Sequence, residues 1–137
     1  RRSYAPLPAR YARPGDGPSL RLQFAAGTRP GLQLFEPSPD WSGKDAIVID
    51  VTNPSSRPLH LVLRIFDRTH DWTHGDRFNQ RILVPAESRV PVRIALEAVA
   101  ASPRKRRMDL TAVADVMLFA RRPLDAGEFY LTRVALE

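Results

Sequence analysis

The sequence predicts an all-β fold, a two-layer antiparallel sandwich, and three observations carry that expectation. Short stretches in which apolar and polar residues alternate recur along the chain, turn-forming residues separate them, and helical patterning is confined to 97–101 and 110–114. At 137 residues and 43% hydrophobic content the chain suits one compact domain with a genuine core.

The elements follow in order. Residues 1–18 hold Pro6, Pro8, Pro14 and Pro18 with Gly15 and Gly17, which reads as a proline-rich flexible linker ahead of a sandwich domain over 19–137. Leu20, Leu22 and Phe24 alternate with Arg21 and Gln23 as a first strand, and 32–35 repeats the pattern after Gly27 and Gly31. In 47–51 the apolar set is Ile47, Ile49 and Val51, with Asp50 on the opposite face. Asn53-Pro54-Ser55-Ser56 turns the chain into 59–65. There Leu59, Leu61, Leu63 and Ile65 face the core while His60, Val62, Arg64 and Phe66 face away. In 78–84, Phe78, Ile82 and Val84 oppose Asn79 and Arg81, and Pro85 ends the run. The even residues of 90–96 are apolar, and 116–119 and 129–136 complete eight strands. If 47–51, 59–65, 78–84 and 90–96 are neighbours, one sheet face collects Asp50, His60, Arg64, Phe66, Asn79, Arg81 and Arg93.

Composition narrows the chemistry. There is no cysteine, so disulfides and thiolate metal sites are excluded. No apolar run reaches the roughly 20 residues of a membrane-spanning helix, and the chain opens on Arg1 without an initiator methionine, as a piece of a longer protein would. The net charge of +6 comes mostly from arginines dispersed among carboxylates, so no nucleic-acid partner is expected. The run Arg104-Lys105-Arg106-Arg107 reads as a solvated loop, with an anionic-lipid contact or nucleic-acid patch as alternatives. A Gly-x-Ser-x-Gly elbow and a phosphate-binding glycine loop are both missing, so no catalytic residues and no cofactor are expected.

The connection from Phe66 to Asn79 concentrates three carboxylates, two guanidiniums, two imidazoles and an indole between two strands. Rigid strands that position such a loop give it the means to recognise a ligand. A sugar needs planar Asp, Asn or Arg groups to bridge its hydroxyls and an aromatic ring against its C–H face. Trp72 is either that ring or a plug at the end of the sandwich; Trp41, in a turn at the head of a strand, reads as core or corner packing. Asp67 and Arg68, across from Asp76 and Arg77, either grip a ligand or form a structural ion pair. Asp50, Arg64 and Arg81 face the same choice between groove and cross-strand pairing. His70, Asp71, His74 and Asp76 include metal-ligand types, but at no familiar zinc spacing, so no metal is expected.

Asp40-Trp41-Ser42-Gly43, Ile49-Asp50-Val51-Thr52-Asn53-Pro54, Leu63-Arg64-Ile65, Asp67-Arg68 with His70, Asp76-Arg77-Phe78-Asn79, Met108-Asp109-Leu110 and Phe129-Tyr130-Leu131 occur in an ordered series. In that series the chain resembles a group of bacterial carbohydrate-binding-module-like domains over about 20–137. The resemblance implies a galactose-binding-like jelly roll of the kind appended to some VanZ-like membrane proteins and to some glycoside hydrolases. It departs from the group at Pro85-Ala86-Glu87-Ser88, where an aromatic turn is usual, and at Thr132-Arg133, where Asp-Asn is usual. The expectation is therefore a non-catalytic module that binds a carbohydrate or glycan, tethered to a membrane or enzyme domain in the cell envelope, periplasm or extracellular space. Its ligand set would be Asp50, Arg64, Asp67, Arg68, His70, Trp72, Asp76, Arg77 and Asn79. The rivals are a structural or protein-interaction sandwich with no sugar ligand, and a metal-assisted hydrolase built on His70, His74 and Asp76.

Overall fold

The computed structural model describes residues 2–25, 31–34, 39–121 and 126–137. They form β1 (Arg2–Ala5), β2 (Ser19–Phe24), β3 (Gly31–Leu34), β4 (Ala46–Asn53), β5 (Leu59–Asp67), β6 (Phe78–Val84), β7 (Ser88–Ala95), α1 (Leu96–Ala100), β8 (Val113–Ala120) and β9 (Gly127–Leu136), with a single 3₁₀ turn at His74–Asp76. Two antiparallel sheets face each other: β1-β2-β9-β4-β7, the five-stranded sheet, and β3-β8-β5-β6, the four-stranded one.

Alternation explains the core. Ile47, Ile49 and Val51 from β4 and Phe129 and Leu131 from β9 meet Leu61, Leu63 and Ile65 from β5 and Val116 and Leu118 from β8 in one cluster. Each such side chain contributes about 1.5–3 kcal/mol on burial. Trp41 is fully buried in this cluster, and its backbone N–H donates to the Leu110 carbonyl at 2.7 Å. The corner-packing expectation for this indole therefore holds. Asn53, also buried, donates through Nδ2 to the carbonyls of Arg57 (2.8 Å) and Val84 (3.2 Å) and accepts from the Ser55 N–H at 3.0 Å. One amide thus ties the β4–β5 turn to the end of β6.

Three expectations change. First, the single polar face divides, because β4 pairs with β7 in one sheet and β5 with β6 in the other. Parity tells which residues share a side of a strand, and the strand's sheet is set by pairing. Asp50 and Arg93 consequently lie on one outer face, and His60, Arg64, Phe66, Asn79 and Arg81 on the other.

Second, the proline-rich start is part of the packed structure. Residues 2–5 hold no proline and pair with β2, from Arg2 opposite Leu22 to Ala5 opposite Ser19. Leu7 and Tyr11 then pack on Tyr130, and Arg89 holds the strap by donating to the Tyr11 carbonyl (3.0 Å) and to Asp16 (2.8 Å). Third, residues 110–112 turn and β8 begins at Val113, in register with Asp67, so the helical expectation for 110–114 fails. Valines that fit a pleated, half-buried surface override a short helical pattern. The expectation for 97–101 stands with a shift of one residue.

Candidate functional site

The connection between β5 and β6 has a buried half and an exposed half. At the buried half one guanidinium serves two carboxylates. Arg106 donates to both oxygens of Asp67 (2.6 and 2.7 Å) and both of Asp76 (2.8 and 3.0 Å). Asp67, whose side chain is 0% exposed, also accepts from the Asp109 N–H at 2.8 Å and the Thr69 hydroxyl at 3.2 Å. Burial pushes the Asp67 carboxyl up, but Arg106, the Asp109 N–H and Thr69 together hold it below its ordinary value. Asp76 is lowered to about 2, chiefly by its hydrogen bonds from Arg106. It also accepts from the Asp71 N–H at 2.8 Å, and the buried His70 sets Nδ1 2.8 Å from the Asp76 carbonyl.

Arg106 is the residue that sequence reasoning passed over. It belongs to the basic run read as a solvated loop, and the available signal was Asp67 itself, a carboxylate ending a core strand and in need of a cation. The same run clasps the connection from outside, with the Arg104 N–H donating to the Gly75 carbonyl at 2.8 Å. His70, Asp71 and Asp76 bring possible ligand atoms within 4.8 Å of one another, but both Asp76 oxygens are engaged by Arg106. His74 is exposed and outside that group.

The exposed half presents Trp72. The indole is 76% exposed and its residue sits in the left-handed region with φ 67°. A bulky side chain there costs about 1–2 kcal/mol relative to ordinary backbone. The turn is held by Asp71, which accepts from the Thr73 N–H (2.9 Å) and hydroxyl (2.6 Å). Phe66 stacks on His70 at 4.8 Å between ring centroids, and Trp72 stands edge-on to Phe66 at 5.4 Å and tilted against His70 at 5.1 Å. Strain and solvent-exposed apolar surface in one residue are two costs with little packing to offset them, a combination that collects at ligand sites.

From this aromatic group the outer face of the four-stranded sheet runs back along β5. Arg64 and Phe66 are two residues apart, about 7 Å at the rise of an antiparallel strand. Asn79 pairs in register with Arg64 and Arg81 with Val62 on the β6 side; Asp115, Met117 and Phe119 flank the same row on β8. The Arg64 Nε–H donates to Asn79 Oδ1 at 3.1 Å, and its guanidinium lies 4.9 Å from the Phe119 ring centroid. Arg77 shares the parity of Asn79 and Arg81. Its Nε is buried without a hydrogen-bond partner. Burial, and then the charge of Arg77, lower the Arg64 pKa.

The candidate residues thus separate into groups. Arg64, Trp72, Arg77 and Asn79 come together around one outer face. Asp67, His70 and Asp76 lie beneath it, held in the Arg106 network. Arg68 is exposed on the turn, its backbone N–H donating to the Ala112 carbonyl at 2.9 Å. Asp50 belongs to the opposite sheet, where it accepts from Arg89 at 2.8 Å.

No protein-family model matches the sequence. The chain is 27% identical over 97 residues to β-agarase B from Vibrio sp. (strain JT0107), an alignment covering 64% of this chain; it spans about a tenth of that relative's length (10%). Among solved structures, an exo-β-agarase superposes with a TM-score of 0.74 at 15% identity over 100% of this chain and 22% of that one. The family 11 carbohydrate-binding module from Clostridium thermocellum, in complex with a β-1,3-1,4-mixed-linked tetrasaccharide, superposes with a TM-score of 0.65 at 16% identity over 99% of this chain and 82% of that one. The strand order, the two antiparallel layers and these superpositions together give this chain the jelly-roll fold found in carbohydrate-binding modules.

Proposed function

We propose that this domain is a non-catalytic carbohydrate-binding module that holds a glycan on the outer face of its four-stranded sheet. The observation that carries the reading is Trp72, an exposed indole in strained backbone beside Phe66 and His70, at the end of a row containing Arg64 and Asn79. An aromatic ring takes the C–H face of a pyranose, while the guanidinium and amide bridge its hydroxyls. Asp67, His70 and Asp76 set the height and angle of the platform without contacting sugar. The short share of the agarases that the chain spans supports an accessory role within a larger secreted protein, a glycoside hydrolase being one parent of that kind. A VanZ-like membrane protein of the cell envelope is the other parent, and it rests on the sequence resemblance alone.

Fluorescence tests the reading directly. The chain has two tryptophans, and Trp41 is 0% exposed, so a ligand-induced change in emission reports Trp72. Titration with agarose oligosaccharides and, separately, with a β-1,3-1,4-mixed-linked glucan should change the emission for at least one of them. Emission unmoved by either, together with binding that survives Trp72→Ala, would remove the site from this face.

A further inference from the structure

We infer that the glycan received on this face is anionic, and that Arg64, Arg77 and Arg81 take a sulfate or carboxylate substituent beside the Trp72 platform; the inference rests on the carbohydrate-binding reading. Arg64 on β5 and Arg81 on the adjacent β6 share one face, and Arg77 immediately precedes β6 with the parity of Arg81. Among the described residues no carboxylate forms an ion pair with any of them. The acidic side chain on the described strands of this face, Asp115, is placed on the far side of β5, in register with Phe66.

Geometry makes the arrangement costly in the absence of an anion. Arg64 is partly buried against Phe119, with an amide oxygen as its hydrogen-bond partner. Arg77 is close enough to add repulsion, and its own buried Nε–H is unsatisfied. Like charges brought together under partial burial normally acquire a counter-charge. A neutral sugar answers the hydrogen-bonding capacity and leaves the repulsion in place. A sulfate ester or uronate answers both, because a guanidinium donates two parallel N–H bonds to either anion. Elsewhere on the molecule cations of similar exposure are paired. Arg89 sits between Asp16 and Asp50, and Arg106 between Asp67 and Asp76. Among the described residues the partly buried arginines Arg21, Arg89 and Arg106 each have a carboxylate, and the partly buried Arg64 and Arg77 of this face do not.

The test compares ligands that share a backbone and differ in charge. Affinities of the full chain for neutral agarose oligosaccharides, sulfated galactan oligosaccharides and oligouronates are measured by calorimetry at physiological salt, with single-stranded DNA as a generic polyanion. One anionic glycan should bind about ten-fold tighter than the neutral galactan, the size expected of charge-assisted bonds. Whether the sulfated or the uronate arm gives that gain identifies the substituent. Arg77→Gln should lose most of the gain, bringing the ratio of anionic to neutral galactan affinity down toward one. Arg81→Gln, on an exposed side chain, should lose part of it and keeps the test decisive if Arg77→Gln does not fold. Equal affinity for neutral and anionic galactans at a Trp72-dependent site would overturn the charge inference and leave the carbohydrate reading standing. DNA competing as well as the anionic glycan would overturn it as non-specific polyanion binding. No binding of any glycan would remove both.

Discussion

The two outer faces of the sandwich treat arginine differently. On the five-stranded sheet Arg21 meets Glu128 at 2.5 Å, Arg89 meets Asp16 and Asp50 at 2.8 Å, and Arg93 and Arg133 meet Glu137 at 2.8 and 3.2 Å. Leu7 and Tyr11 cover Tyr130 on the same side. The four-stranded sheet leaves Arg64, Arg77 and Arg81 without a described carboxylate partner and adds an exposed indole. A polar sheet face is thus no sign of a site by its composition. What distinguishes a ligand surface is the set of groups that the protein itself leaves unanswered.

The largest effect should come from the guanidinium beneath the open face. Arg106→Met leaves the Asp67 carboxylate buried without its cation, and truncating one side of such a pair costs about 3–5 kcal/mol. Urea denaturation should show that loss. A change under about 1 kcal/mol would show that Asp67 tolerates solitude and return it to the ligand candidates. Deleting 2–18 comes next. It uncovers Tyr130 and strips Leu7 and Tyr11 from the closed face, for a loss on the order of 3 kcal/mol by apolar burial. Glycan affinity should not change, since the strap lies on the other sheet; an affinity that rose or vanished would move the binding face there.

Acid sharpens the same contrast. Asp16 is lowered to about 2, first by its hydrogen bonds from Arg89, and Asp76 to about 2, first by Arg106. Carboxylates with depressed folded-state pKa values stabilise above their unfolded value near 3.8 and lose that contribution as pH falls through the folded value. Stability should therefore hold from neutral pH to about 5 and fall between about 4 and 2. Asp16→Asn and Asp76→Asn should each flatten that limb. A limb unchanged in either variant would detach that pair from stability.

Much of the fold was legible because the β period writes the core directly: Ile47, Ile49, Val51 and the leucines of β5 are placed by alternation alone. Sheet membership was not, since parity says nothing about which layer a strand joins, and Asp50 was grouped with Arg64 on that account. Arg106 stayed hidden for a related reason. It lies 39 residues from Asp67 in sequence, and a loop arginine that reaches a buried carboxylate looks locally like any solvated cation. The two indoles were separable only in part. Trp41 announced a corner through its turn, whereas the exposure of Trp72 depends on φ, which the sequence around it does not display.

The smallest stability effect, and the one that separates platform from scaffold most cleanly, is expected at Trp72. Alanine removes the ring but still needs φ near 67°, so Trp72→Ala should change stability little and weaken glycan binding several-fold, in line with about 0.5–1.5 kcal/mol for an aromatic contact. Glycine removes the ring and the strain together. Trp72→Gly should bind as weakly as alanine yet be more stable than it by roughly 1 kcal/mol, because glycine adopts the left-handed region without the steric cost. Thermal melts of the two variants measure that difference. A glycine variant less stable than wild type by 2 kcal/mol or more, roughly a buried side chain's contribution, would mean that the indole packs as core and that the platform assignment fails.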